Sequence, residues 1–210
     1  KDFPHLASLK GRTLITTDGT TLLGADDKAG IAEIMTVAEE LLKGDIPHGK
    51  VCLAFTTDEE VGSGACHMDL ERFGAPYAYT VDGGPEGEIQ FENFNAASAE
   101  FVIHGVNVHP GEAKDIMVNS MKIAMELQGM LPEQEAPEHT EGYEGFFHLM
   151  EMNGSVEETT MSYLIREFDA EKYEARKALM QEITAKINAK YGEGTVELKL
   201  EDSYRNMREM

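Results

Sequence analysis

Between Ala97 and Leu200 the apolar residues change period again and again, and a chain that does this has few folds open to it. Ala97 to His104 alternates as a strand does, sending side chains to opposite faces at every step. Met117, Met121, Ala124, Met125 and Gln128 then define one face of a helix. Residues 143–151 and 156–169 read as two strands turning at Asn153-Gly154, a dipeptide suited to tight hairpins. A second helix carries Tyr173, Met180, Ile183, Ile187 and Tyr191 on one side, and Thr195 to Leu200 alternates as a last strand. The order β-α-β-β-α-β is that of a split-βαβ (ferredoxin-like) sandwich, with Pro132 to Glu141 as a polar loop inside it.

Upstream the pattern is different. From Lys28 to Lys43, Ile31, Ile34, Met35, Ala38, Leu41 and Leu42 recur at helical spacing and Gly44 supplies a stop, as expected of a helix lying against a sheet. Strand, acidic exit and helix repeat through Lys50 to Phe73, and a further strand follows from Tyr77 to Val81. Residues 1–92 thus read as half of an open α/β sheet, set off from the second piece by the glycine-rich passage Asp82 to Gly87.

With 210 residues and 41% hydrophobic content the chain has enough material for one or two ordinary cores. Its 39 acidic and 18 basic residues give a net charge of −21, which repels phosphate backbones and anionic lipid and argues against nucleic-acid and membrane partners. Cys52 and Cys66 form no framework of paired cysteines, so both read as small packing residues in a protein of the reducing cytoplasm.

Part of the acidic excess is concentrated where strands should end. Asp58-Glu59-Glu60 follows the apolar run Val51 to Phe55, Asp26-Asp27 follows the extended stretch from Thr20, and Asp82 follows Tyr77 to Val81. Parallel-sheet geometry would bring Asp26, Glu59, Glu60 and Asp82 to one edge, where α/β enzymes place their chemistry. Adjacent carboxylates repel one another unless they meet solvent, a proton or a cation, and oxygen-rich clusters suit divalent metal ions. Solvated acidic turns and helix caps at Asp26 and Asp27 are the plain alternatives.

The runs LLGADDKAGIAEI (22–34), TTDEEVGSGA (56–65), YTVDGG (79–84), FENFNAAS (91–98), VHPGEAK (108–114), TEGYEGFFHL (140–149) and EDSYRNMRE (201–209) together resemble the tripeptide aminopeptidases of the dizinc exopeptidase family. Members of that family are roughly twice as long, so the resemblance implies an internal piece that lacks both ends of its catalytic domain. On this reading residues 1–92 are a partial open α/β catalytic domain, 93–203 a lid and dimerisation domain, and 204–210 the start of the return to the catalytic domain.

The resemblance also distributes roles. It implies that Asp26 bridges two zinc ions, that Glu60 and Asp82 are further ligands, and that Glu59 stays unligated as the general base. Asp27 caps the helix starting at Lys28, Lys28 orients the acids, and Asp58 is an outer acid. His109, in the turn after the first strand of the lid, is implied to reach the substrate carbonyl and to steady the oxyanion. Arg166 is implied to hold a peptide's terminal carboxylate with its planar fork; a salt bridge to Glu167 or Asp169 is the alternative, although alternation sends both to the other face. The family's two histidine ligands fall outside the sequence, and His67-Met68-Asp69 reads as surface or helix-start sequence. His5, His48, His104, His139 and His148 read as ordinary histidines. The expectation is a zinc-dependent aminopeptidase of short peptides, cytoplasmic, with two zinc ions per full-length subunit and a homodimer formed through the lid. Manganese or cobalt suits the same ligands. The isolated piece is expected to be inactive. A dimetal deacylase or carboxypeptidase, or a non-catalytic dimerisation module, are the competing classes.

Overall fold

Asp27 opens the first helix by accepting a hydrogen bond from Gly30 N at 3.0 Å, so α1 runs from Lys28 to Leu42 where the periodicity placed it. The computed structural model describes residues 3–21, 23–84 and 87–209, and it divides into two compact units, Lys1–Ile89 and Gln90–Met210. Lys1, Asp2, Leu22 of the extended stretch before Asp26, Pro85 and Glu86 of the glycine-rich passage, and Met210 lie outside the described residues.

In the first unit the expected helix forms but the expected sheet does not. Among the described residues, the segments Val51–Phe55 and Tyr77–Val81 carry no ladder pairing, and Val51, Leu53, Phe55, Tyr77 and Tyr79 are exposed. Parallel strands need neighbours on both sides and apolar cover on both faces. Among the described residues of this unit the only long helix is α1, which buries Gly30 alone and half-buries Ile34, Ala38 and Leu41, a narrower stripe than the spacing suggested. A one-turn helix, α2 (Leu70–Phe73), starts at Asp69, whose carboxylate accepts from Arg72 N at 2.9 Å. Cys52 is half-buried and Cys66 exposed, so of the two only Cys52 serves packing.

The second unit is the split-βαβ sandwich. Its strands are β1 (Asn95–His104), β2 (Phe146–Gly154), β3 (Glu158–Glu167) and β4 (Val196–Tyr204), and its helices are α3 (Ser120–Gln128) and α4 (Ala170–Tyr191). The sheet order is β2-β3-β1-β4 with every neighbouring pair antiparallel. Alternate residues of the strands, including Phe101, Ile103, Met161, Tyr163 and Ile165, meet Ile123 and Leu127 of α3 and Tyr173, Met180, Ile183 and Ile187 of α4 in one core. Asn119 and Asp169 cap α3 and α4 through Lys122 N and Lys172 N.

Two details differ from the sequence reading. The buried face of α3 is Ser120, Ile123, Ala124 and Leu127, whereas Met125 is exposed and Met117 precedes the helix. Ile123, Ala124 and Leu127, at helical spacing, pack into the core and set the inward stripe in place of the methionines. The hairpin turns at residues 155–157, one step beyond Asn153-Gly154, because the Ser155 hydroxyl accepts from Glu157 N at 3.1 Å and Ser155 N donates to Glu158 O at 2.8 Å.

Three asparagines close the unit where the chain enters and leaves it. Asn95 Oδ1 accepts from Asn206 N at 2.9 Å, Asn206 Oδ1 from Asn93 N at 3.2 Å, and Asn93 Oδ1 from Met207 N at 2.7 Å. The side-chain amides of Asn95 and Asn206 both donate to Phe168 O at the end of β3, and both residues are buried.

Candidate active site

In the first unit, backbone contact assembles an acidic group. Gly30 lies against the Val81 carbonyl so closely that a Cβ there would overlap the Val81 oxygen and the Asp27 carboxylate. That approach sets Asp82, the next residue, beside Asp26 and Asp27, which are joined by a cis peptide bond. Partial desolvation, then the charges of Asp27 and Asp26, and a hydrogen bond shared with the Asp26 side chain raise the Asp82 carboxyl above the ordinary carboxylate range. Neighbouring carboxylates repel one another, and a bound cation relieves that repulsion. The chemistry of Asp26 and Asp82 therefore fits a metal ion. Lys28 directs its ammonium to Gly24 O at 3.2 Å.

Glu59 and Glu60 occupy a short 3-10 turn, Glu59–Val61, bounded by Asp58 at φ 63° and Gly62 at φ 74°. Asp58 takes the left-handed conformation that aspartate tolerates better than most residues, and its Oδ2 accepts from the Thr57 hydroxyl at 2.9 Å. Both glutamates are exposed. Gly64 packs on Glu59, where an added Cβ would stand 3.2 Å from the Glu59 Cα. Among the described residues no three histidine, cysteine or acidic side chains converge as metal ligands: Asp82 lies near enough to Asp26 and Asp27 to feel their charge, but the three are not arranged as a ligand cluster and Glu60 does not join them. His67 is exposed, and Asp69 of the same motif is the cap of α2.

In the second unit His109 is exposed in the connection between β1 and α3. Val106 and Val118 exchange backbone hydrogen bonds of 2.7 and 3.0 Å and pin the base of this loop. His109 Nδ1 accepts from Gly111 N at 3.1 Å, so the neutral ring carries its proton on Nε2.

Arg166 projects from β3 onto the sheet face that the helices leave open. Its Nη1 donates to Ile165 O at 2.9 Å and reaches Ala97 O at 3.4 Å, and its guanidinium stands 5.5 Å from the centre of the Tyr204 ring. Neither acid named as an alternative partner pairs with it. Glu167 is buried on the other face against Arg176 Nε at 2.9 Å, and Asp169 is the cap of α4. Two features of these sites escaped the sequence: the closeness of Asp27 to Asp82, and Tyr204 beside Arg166, each of which depends on segments far apart in the chain.

Residues 91–195 match the family model described as the peptidase dimerisation domain, of the M20 type. Over 210 residues the chain is 61% identical to "Peptidase T" of Clostridium novyi (strain NT), covering 100% of this chain and 52% of that protein. To "Peptidase T" of Geobacillus kaustophilus (strain HTA426) it is 62% identical over 209 residues, 99% of this chain and 51% of that protein. Among solved structures it is similar to aminopeptidase PepT from Bacillus cereus ATCC 10987, with a TM-score of 0.77 and 30% identity over 90% of this chain and 51% of that one. It is also similar to a tripeptidase from Staphylococcus aureus subsp. aureus Mu50, with a TM-score of 0.76 and 26% identity over 90% of this chain and 51% of that one. The chain spans about half the length of the curated relatives it matches.

Proposed function

Because the chain belongs to the M20 peptidase dimerisation domain family, we propose that it forms the middle of a metallo-aminopeptidase of the peptidase T kind, one that removes the N-terminal residue from tripeptides. In this reading residues 1–92 contribute to the catalytic domain, 93–203 are its lid, and 204–210 begin the return. Asp26, Glu60 and Asp82 would hold two divalent ions, with zinc as the occupant. When bound, such ions supply Lewis acidity that polarises a carbonyl and lowers the pKa of water. The observation that carries the reading is the close contact of Gly30 with the Val81 carbonyl, which brings the Asp82 acid to the Asp26-Asp27 pair at the start of α1.

The chain's own residues divide the remaining work. Glu59 accepts a proton from the attacking water and returns it to the leaving amine, for which an unligated carboxylate is required. His109 offers Nε2–H to the carbonyl oxygen as negative charge develops there. Arg166, whose guanidinium meets no carboxylate among the described residues, takes the terminal carboxylate of the peptide. The second unit is the surface through which two subunits associate, and the enzyme works in the cytoplasm.

The test is Glu59→Gln in the full-length enzyme. Metal content should be retained while tripeptide turnover falls by about two to four orders of magnitude. Near-normal turnover by a metal-loaded Glu59→Gln enzyme would overturn the assignment.

A further inference from the structure

One row of residues crosses the open face of the second unit's sheet. Phe146 on β2 faces Arg166 on β3, Arg166 faces Ala96 on β1, and Ala96 faces Tyr204 on β4. Arg166 does not turn along its own strand. Its Nη1 donates to Ile165 O at 2.9 Å and reaches Ala97 O at 3.4 Å, so the side chain passes over β1 toward the Tyr204 ring, 5.5 Å from the guanidinium carbon. Ala96, between them, is fully buried although it lies on the uncovered face. The other arginines of this unit, Arg176, Arg205 and Arg208, each pair with a carboxylate, and Arg166 is the exception among the described residues.

We infer that Tyr204 is a positioning residue for substrate: its ring holds the Arg166 guanidinium across β1, so that the fork is already extended when a peptide carboxylate arrives. The inference rests on the carboxylate-binding reading of Arg166. An arginine side chain free to rotate loses conformational entropy on binding, and a ring that fixes it beforehand removes part of that cost. A guanidinium stacked on an aromatic face keeps its in-plane N–H donors free for a bidentate carboxylate. Two backbone carbonyls accept from one edge of the fork, which leaves the other edge for the ligand.

The experiment uses the full-length enzyme and a tripeptide with a free or an amidated C-terminus. Tyr204→Leu should raise KM for the free peptide by about two- to thirty-fold, the range of a cation–π contact, with kcat nearly kept and a smaller change for the amide. Tyr204→Phe keeps the ring and should restore the low KM. An unchanged KM ratio between the two peptides in Tyr204→Leu, with its thermal midpoint retained, would overturn the inference, as would a Tyr204→Phe enzyme as impaired as Tyr204→Leu. Arg166→Lys separates the two levels: it should impair the free peptide more than the amide. Equal losses on both would remove the underlying reading, whereas selective loss in Arg166→Lys without any in Tyr204→Leu would remove the positioning role alone.

Discussion

At the scale of single residues, Gly30 sits on the inner side of α1 against the Val81 carbonyl, and Asp82 follows Val81 directly. Adding one methyl group there forces α1 away from the Val81 segment. Gly30→Ala should cost about 1–3 kcal/mol, the usual range for overpacking, and should separate Asp82 from Asp26. In the full-length enzyme this should appear as a lower metal content after dialysis, and an unaltered content would contradict it. Glu167 and Arg176 make the complementary case in the second unit. Arg176 Nε donates to Glu167 at 2.9 Å, its Nη1 meets Glu135, and its guanidinium covers the Phe147 ring at 5.0 Å. Arg176→Met would leave the buried Glu167 carboxylate without its cation, with only Asp169 N at 3.3 Å still donating to it, and should lower unfolding stability by about 3 kcal/mol in urea titration. Adding Glu167→Gln should recover part of the loss. Alternation along β3 was enough to turn Glu167 away from Arg166. Its true partner, nine positions on and in α4, was not readable, because it depends on how the helix crosses the sheet.

At the scale of elements, the legible features were those with local causes. Asp27, Asn119 and Asp169 each cap a helix through hydrogen bonds confined to one turn, and the β-α-β-β-α-β succession follows from periodicity. What failed to show was set by tertiary contact. The α3 stripe was read through its methionines but buries Ile123 and Leu127, and the apolar runs of the first unit suggested strands that, among the described residues, find no neighbours to pair with. The acids at the ends of those runs were recognisable, but the contact of Gly30 in α1 with Val81, which brings Asp82 to Asp26 and Asp27, was not. The start of β4 has its own fastening: Asn188 of α4 donates to Val196 O at 2.9 Å and accepts from Val196 N at 2.8 Å. Asn188→Ala should cost about 1–3 kcal/mol, since it leaves both backbone groups without that partner. Amide exchange at Val196 should then quicken relative to the centre of β1, and unchanged protection there would argue against the fastening.

At the scale of the whole molecule, burial is lopsided. Every buried apolar side chain among the described residues lies between Ala96 and Val196, and Gly30 is the one buried residue of the first unit. Residues 90–210 expressed alone should therefore unfold cooperatively at a midpoint close to that of the 210-residue chain, with the same far-ultraviolet signature of strands and helices. Loss of that transition on removing residues 1–89 would show that the core is not self-sufficient. The same core sets an alkaline limit. Burial pushes the hydroxyl pKa of both Tyr163 and Tyr173 upward, with the neighbouring Asp202 adding to the effect at Tyr173. The unfolded chain then releases these protons before the folded one does, so stability holds below pH of about 10 and declines above it. Tyr163→Phe should flatten that decline in denaturant titrations between neutral and alkaline pH. Finally, the Asn93, Asn95 and Asn206 hydrogen bonds hold the incoming and outgoing strands of the second unit side by side. The two ends of this unit therefore leave it together, at one point on its surface. A unit whose ends leave it together can be joined to further chain through one short connection, or cut free of it, without pulling on its own strands.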